Sequence, residues 1–332
     1  MNYPLSQKIL EEIKKAKKIL VNCHRGPDPD SIGSALALYE ILTGMGKDVR
    51  VVCPSEVSQL NLDFLENFKK IETIDFSKFD FSDYDLFIVL DSSSWDMVSE
   101  NKEMKVPDIS IIVIDHHKTN TKFGGINVID DKTTSTGELL FLIFEDMAVD
   151  INKTVATALL TGIIGDTGVF RYHGTGAKTL AIAGRLMEKG ADKEEIVSRL
   201  YHSIEFEIIK FWGEVLKKMK LDKSGKFVWS AIPYDVFVKY GSPKLGRELA
   251  ASTFAQIVDK TKFGMIMVEQ EPRRLSISFR SRTGFDTSLV AVKLGGGGHI
   301  YASGAKVVNL PFEEAVQKVL ETARETEDEN KS

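Results

Sequence analysis

Across residues 1–190 the sequence alternates between two periods that cannot share one kind of backbone. Apolar, β-branched runs of strand length (19–23, 49–53, 86–90 and 109–114) are separated by stretches with apolar residues at helical spacing, as over 32–42. Continuous apolar runs suit strands buried on both faces. Consecutive strands with a helix between them pair in parallel, so this half predicts a doubly wound α/β domain with a mainly parallel sheet. After Asp130 the pattern turns helical. Ser135-Thr-Gly-Glu138 has capping-box spacing ahead of 139–147, and further helices are expected over 153–164, 177–189 and 193–200.

The second half reads differently. A charged amphipathic stretch, 204–220, is expected to be a connecting helix. Strand-like segments at 227–232, 264–268, 274–281 and 305–308, with helices at 246–258 and 287–294, predict a smaller α+β domain. The expected organisation is therefore a metal-binding catalytic domain over 1–190, a helical linker over 191–222, a substrate-binding domain over 223–324 and a solvated acidic tail over 325–332. A length of 332 residues suits two domains.

The net charge of −5 hides an asymmetry: 21 basic against 28 acidic residues over 1–190, and 21 against 16 over 191–324. An acidic first half argues against a protein that coats long duplexes. Two cysteines, Cys23 and Cys53, exclude a disulfide scaffold and a thiolate zinc site, and read as buried thiols. The longest apolar runs are too short for a membrane span. The chain starts with a polar amphipathic helix over 7–18 and no signal peptide, so a cytoplasmic protein is expected.

Three of the apolar runs end in histidine or aspartate. Residues 19–23 lead into His24-Arg-Gly-Pro-Asp28-Pro-Asp30, 86–90 into Asp91, and 109–114 into Asp115-His116-His117; Asp166 follows the apolar helix 153–164. Open parallel sheets bind ligands beyond the carboxyl ends of their strands. Packing does not call for carboxylates there. Imidazoles and carboxylates without thiolate suit Mn²⁺ or Mg²⁺, with Co²⁺ or Zn²⁺ as substitutes. Four aspartates (Asp28, Asp30, Asp91, Asp166) match the charge of two divalent cations, the apparatus for in-line attack at phosphorus, and Asp91 is placed to bridge them.

These motifs, H24-x3-D28-x-D30, Asp91, D115-H116-H117 and D166-T-G-x-F170, together resemble those of the DHH phosphoesterase superfamily. The resemblance implies one metal on His24, Asp28 and Asp91 and a second on Asp30, Asp91, His116 and Asp166. It places His117 against the substrate, orienting it or protonating the leaving oxygen, with Asp115 supporting the histidines. Relatives often follow the Phe-Arg of the last motif with Asn-Thr. Here Tyr172-His173-Gly174-Thr175 follow instead. His173 and His202 read as surface and structural residues.

Gly295–Gly298 precede His299, and six basic residues between Pro272 and Lys306 face a single acid, Asp286. Glycine lets a backbone approach an anion closely. On the strand 274–281, Ser276, Ser278 and Arg280 share a face. The run G296-G-G-H299-I-Y-A302-S-G304 resembles the signature of the DHHA1 domain. That implies a phosphate or nucleotide grip by Arg280, Ser278, His299 and the backbone of Gly296, Gly297 and Gly298.

The family resemblance implies a two-metal phosphoesterase, with Mn²⁺ the favoured ion, that hydrolyses short oligonucleotides to nucleoside 5′-monophosphates or removes the 3′-phosphate of pAp. Hydrolysis of cyclic di-AMP or pApA is the alternative. A pyrophosphatase or exopolyphosphatase-like activity is disfavoured by the glycine-histidine motif, and a non-catalytic sensor by the complete ligand set. The expected partners are short single-stranded RNA or DNA and small nucleotides, with no membrane and with a homodimer left open.

Overall fold

The computed structural model describes residues 2–57, 61–172, 174–243, 245–298 and 300–329. His173 and His299 lie outside the described residues. The chain divides into two compact units, Met1–Ser203 and Ile204–Ser332.

In the first unit six strands, β1 (Lys18–Asn22), β2 (Asp48–Cys53), β3 (Ile71–Thr73), β4 (Leu86–Leu90), β5 (Ser110–Asp115) and β6 (Ile126–Ile129), form a parallel sheet in the order β3-β2-β1-β4-β5-β6. Apart from the exposed first residues of β1 and β5, Lys18 and Ser110, strands β1, β4 and β5 are buried, as their unbroken apolar runs require. The two edge strands, β3 and β6, were not expected from the sequence. They are short and partly exposed, so neither carries a long apolar run.

The helices of this unit are α1 (Ser6–Lys15), α2 (Pro29–Gly44), α3 (Trp95–Ser99), α4 (Thr136–Asp146), α5 (Lys153–Asp166), α6 (Ala177–Glu188) and α7 (Lys193–Val197). Helices α2, α4 and α5 contribute to the larger apolar core with alternate side chains of β1, β4 and β5. The opposite side chains of those strands meet an aromatic cluster of Phe76, Phe81, Phe87 and Trp95. A Cβ on Gly33 would lie 2.3 Å from the carbonyl oxygen of Ala158, so α2 and α5 meet backbone to backbone. Cys23 and Cys53 are buried and free.

The second unit holds a mixed sheet, β11-β12-β10-β9-β8-β7, built from β7 (Lys220–Leu221), β8 (Phe227–Ile232), β9 (Phe263–Glu271), β10 (Arg274–Ser281), β11 (Gly297–Gly298) and β12 (Ala302–Val308). Only the β8–β9 pair is parallel. Its helices are α8 (Phe206–Lys217), α9 (Tyr234–Lys239), α10 (Gly246–Phe254), α11 (Thr287–Lys293) and α12 (Phe312–Glu329). Leu275, Ile277 and Phe279 of β10 pack with α11 and α12, while Ile266 and Val268 of β9 pack with α8, α9 and α10.

Two segments differ in character from their sequence reading. Helix α8, expected to connect domains, buries Ile208, Phe211, Trp212 and Val215 in the core of the second unit. Helix α12 runs on past Glu325, where a solvated tail was expected. Thr326 and Glu327 are buried there, and Lys262 Nζ lies 2.7 Å from Glu327. Among the described residues no helix is long and apolar enough to cross a membrane.

Candidate metal centre

The order of the first sheet reverses between β1 and β4, and such a reversal opens a crevice beyond the carboxyl ends of the strands. The loop after β1 enters that crevice. Asp28 caps α2, its Oδ1 accepting the backbone N–H groups of Asp30 and Ser31, and Pro29 supplies a first helical residue that needs no hydrogen bond. The cap fixes Asp28 Oδ2 at 3.7 Å from His24 Nε2. His24 Nδ1 lies 3.0 Å from the carbonyl oxygen of Arg25. A carbonyl only accepts, so Nδ1 carries the hydrogen and Nε2 is the atom turned toward the acids.

Asp91 follows β4 directly and adopts a left-handed backbone, φ +51°, which aspartate tolerates better than most residues. It is buried. Its Oδ2 lies 3.4 Å from His24 Nε2, and its Oδ1 lies 3.6 Å from His116 Nε2 and accepts the Thr136 hydroxyl at 3.0 Å. The two oxygens of one carboxylate thus face two different histidines.

Asp30 is fully buried, and the amino end of α4 points at it. Thr136 N–H donates to Oδ2 at 2.6 Å and Gly137 N–H to Oδ1 at 2.9 Å. Gly162 of α5 leaves room for this carboxylate, since a Cβ there would lie 2.4 Å from Asp30 Oδ1. Asp166 ends α5, with Oδ2 at 3.2 Å from His116 Nε2.

His117 is held differently. Its Nδ1 lies 2.7 Å from Oδ1 of the fully buried Asp115, whose Oδ2 accepts the Asn120 amide at 2.7 Å. With Nδ1 committed as a donor to Asp115, proton chemistry by this ring runs through Nε2.

Among the described residues three donor groups have ligand atoms within 4.8 Å of one another: His24, Asp28 and Asp91; Asp30, His116 and Asp166; and Asp91, His116 and His117. Asp91 belongs to two of them. The structure thus brings together all six residues expected as ligands, with Asp115 and His117 beside them.

The electrostatics of the cluster are unbalanced. Among the described residues no lysine or arginine lies within 4 Å of these carboxylates, whose ion-pair partners are all histidines. Burial, then Asp91 and Asp166, push the Asp30 carboxyl well above the usual range. Burial pushes Asp166 up to about 6, with Asp28 and Asp91 adding to the rise and His116 opposing it. Burial lowers the pKa of His24 and His116, but their aspartate partners outweigh it and raise both well above the ordinary value. For His117 burial likewise works downward, while the Asp115 hydrogen bond and Asp91 raise the net value. Asp91 is the exception: burial raises it, yet the three histidines hold it below the usual carboxylate range.

Buried carboxylates with no lysine or arginine partner are costly unless cations reach them. The donor set is oxygen and imidazole, the chemistry of hard and borderline divalent ions. The residues therefore fit a divalent metal centre.

The residues expected to grip phosphate lie in the second unit. Arg280 donates from Nε to Ser252 Oγ (3.1 Å) and from Nη1 to the Phe279 carbonyl (2.9 Å). Ser278 is buried and accepts Arg247 Nε at 3.0 Å. Sequence reasoning passed over Arg247, because nothing in a helical Gly-Arg-Glu-Leu context marks it. Its guanidinium also reaches Gln270 and Glu248. Gly297, Gly304 and Ser278 stand in one row across β11, β12 and β10. The glycine run is partly explained by packing: a Cβ on Gly296 would lie 2.1 Å from the Gly304 carbonyl oxygen, and one on Gly298 would lie 2.6 Å from Ser303 Cα. Gly297 faces open space.

A doubly wound sheet with Asp/His donors at three adjacent strand ends, in one chain with a glycine-bearing mixed sheet, defines a class of phosphoesterase. The chain carries both a DHH and a DHHA1 domain: residues 18–163 match the DHH family, N-terminal domain and residues 237–328 the DHHA1 domain. It is 29% identical over 323 residues to the bifunctional oligoribonuclease and PAP phosphatase NrnA of Thermus thermophilus, covering 96% of this chain and 93% of that protein. It is also 25% identical to the cyclic-di-AMP phosphodiesterase PdeA of Listeria monocytogenes, covering 95% of this chain but 49% of that longer protein. Among solved structures, an exopolyphosphatase-related protein from Bacteroides fragilis superposes with a TM-score of 0.89 at 28% identity, covering 96% of this chain and 95% of that one.

Proposed function

We propose that the chain is a divalent-metal phosphoesterase acting on short nucleotides, cleaving short oligoribonucleotides to nucleoside 5′-monophosphates and removing the 3′-phosphate of pAp. The observation that carries this reading is the pair of donor groups meeting at Asp91, whose two carboxylate oxygens face His24 and His116 separately. The end-to-end similarity to an oligoribonuclease and PAP phosphatase supports the substrate class.

On this reading His24, Asp28 and Asp91 hold one cation, and Asp30, Asp91, His116 and Asp166 the other. Oxygen and imidazole donors favour Mn²⁺, with Mg²⁺ or Co²⁺ as substitutes. When bound, the cation pair supplies Lewis acidity toward a phosphoryl oxygen and an acidified water. The protein does the rest. Asp91 fixes the spacing of the two sets, and the Arg25 carbonyl and the α4 amides hold His24 and Asp30 in their ligating orientations. His117, its Nδ1–H anchored on Asp115, donates a proton from Nε2 to the leaving oxygen. Arg280, Ser278, His299 and the Gly296–Gly298 backbone bind the nucleotide.

A substrate panel tests the reading. Short RNAs of two to five nucleotides, pAp, pApA, cyclic di-AMP and pyrophosphate are offered to the protein with Mn²⁺ and with Mg²⁺. The expected result is fastest turnover of short RNA or pAp. Fastest turnover of cyclic di-AMP or pApA would move the assignment to a cyclic di-AMP or pApA phosphodiesterase, and fastest hydrolysis of pyrophosphate would overturn the nucleotide assignment.

A further inference from the structure

Arg25 stands one residue beyond His24, and its surroundings differ from those of the other arginines in the first unit. Three consecutive amides of this loop are tied to separate elements. His24 N–H donates to Ser31 Oγ of α2 at 3.0 Å, Arg25 N–H to the Met97 carbonyl of α3 at 2.7 Å, and Gly26 N–H to Ser55 Oγ beyond β2 at 3.1 Å. Gly26 turns the chain at φ +62°. The loop is therefore rigid at the crevice where the strand order reverses.

Among the described residues the guanidinium has one side-chain partner, the Met97 sulfur at 3.5 Å from Nη2. A thioether is a weak acceptor, and a guanidinium carries five N–H donors. Asp28, Asp30, Asp91, Asp115 and Asp166 crowd the same crevice, yet none forms an ion pair with Arg25. The other arginines of this unit each find an oxygen: Arg50 on Glu72, Arg171 on the Gly168 carbonyl, Arg185 on Glu145 and Arg199 facing Asp63. Half-buried donors left on sulfur are costly until an oxygen anion reaches them. Met97 belongs to α3, so this contact ties the Arg25 side chain to α3.

We propose that Arg25 grips a second phosphate of the substrate, the neighbour of the phosphoryl group under attack. The ligand class is a nucleotide bearing two phosphates, for which the planar fork of arginine is shaped. In pAp this second group is the 5′-phosphate; in a short RNA it is the adjacent phosphodiester. The proposal rests on the phosphoesterase reading above and adds a reason for the centre to prefer bisphosphorylated nucleotides. Arg25 touches His24 only through its main-chain carbonyl, so the side chain can be changed without removing that anchor.

The test uses two competitors of short-RNA hydrolysis, pAp and 3′-AMP, which differ only in the 5′-phosphate. Inhibition constants are measured for the full-length wild type, Arg25→Gln and Arg25→Lys, each checked for metal content. Wild type is expected to prefer pAp. Arg25→Gln should lose at least about tenfold of that preference, the loss of one charge-assisted contact, and Arg25→Lys should recover part of it. An unchanged ratio of the two constants in Arg25→Gln, an equal loss for both competitors, or a wild type with no preference for pAp would overturn the proposal. Failure of the underlying reading looks different: wild type with Mn²⁺ would cleave neither short RNA nor pAp.

Discussion

Among the described residues, the crevice of the first unit gathers carboxylates that meet no lysine or arginine, whereas in the second unit Arg247 and Arg280 already hold hydroxyl, amide, carbonyl or carboxylate oxygens. The difference follows from the sheets. In a parallel sheet every strand ends at the same rim, so residues far apart in sequence converge there and leave a concentrated negative charge. In a mixed sheet the polar residues lie along the strand faces, where same-face neighbours such as Ser278 and residues of α10 such as Ser252 satisfy the arginines locally. The lesson is that the first region is incomplete without cations. In the second the arginines already have oxygen partners, and an incoming anion must compete with them.

The largest effects should come from breaking the first region. Asp91→Ala or His116→Ala should remove turnover by about 10³-fold or more, with bound metal measured by elemental analysis falling alongside. His117→Ala should lower kcat by about 10²-fold while metal content is kept, since its role is proton transfer. Loss of metal in His117→Ala would make it a ligand instead.

Smaller effects are expected in the second region. Arg280→Ala should raise KM by about tenfold with little change in kcat, because a contact made equally to substrate and transition state acts on binding. A KM unchanged for every substrate would remove Arg280 from the nucleotide grip.

The smallest and most diagnostic effect is on stability. Asp166, at about 6, binds its proton more tightly folded than unfolded, so it contributes stability below about pH 4 that is lost as pH rises through 6. His24 and His116, also raised, work in the same direction at higher pH, and Asp91, held low, titrates below this window. The melting temperature of metal-free protein should therefore fall between about pH 5 and pH 8, and saturating Mn²⁺ should offset the fall. No such drop in metal-free protein would show that the acids are already balanced.

Much of this was legible before the structure. The runs at 19–23, 49–53, 86–90 and 109–114 match β1, β2, β4 and β5 to within a residue or so, because buried parallel strands leave an unbroken apolar signal. The donor residues were legible because packing alone does not place acids at strand ends. What escaped was set by neighbours: the edge strands β3 and β6, the two-residue β11 inside the glycine run, and the α4 amides that hold Asp30. The Ser135–Glu138 spacing did mark the start of α4, and Ser135 Oγ accepts Glu138 N–H at 3.0 Å, but Glu138 turns its carboxylate to Thr134 and Thr179 instead of closing the box. Helix α12 could have been found from Val316, Val319, Leu320 and Ala323, which recur at helical spacing and are buried.

The meeting of α2 and α5 without side chains at Gly33 and Gly162 has a consequence for ion choice. Asp30 rides on one helix and Asp166 on the other, so on the proposed ligand assignment the gap offered to a cation would be set by how closely two helix backbones can approach. That distance belongs to the hydrophobic interior, not to a mobile loop. On that assignment, selection among ions of different radius would follow from interior steric fit, and a methyl group added at Gly162, 2.4 Å from Asp30 Oδ1, would act as a change of ionic gauge as well as a packing fault.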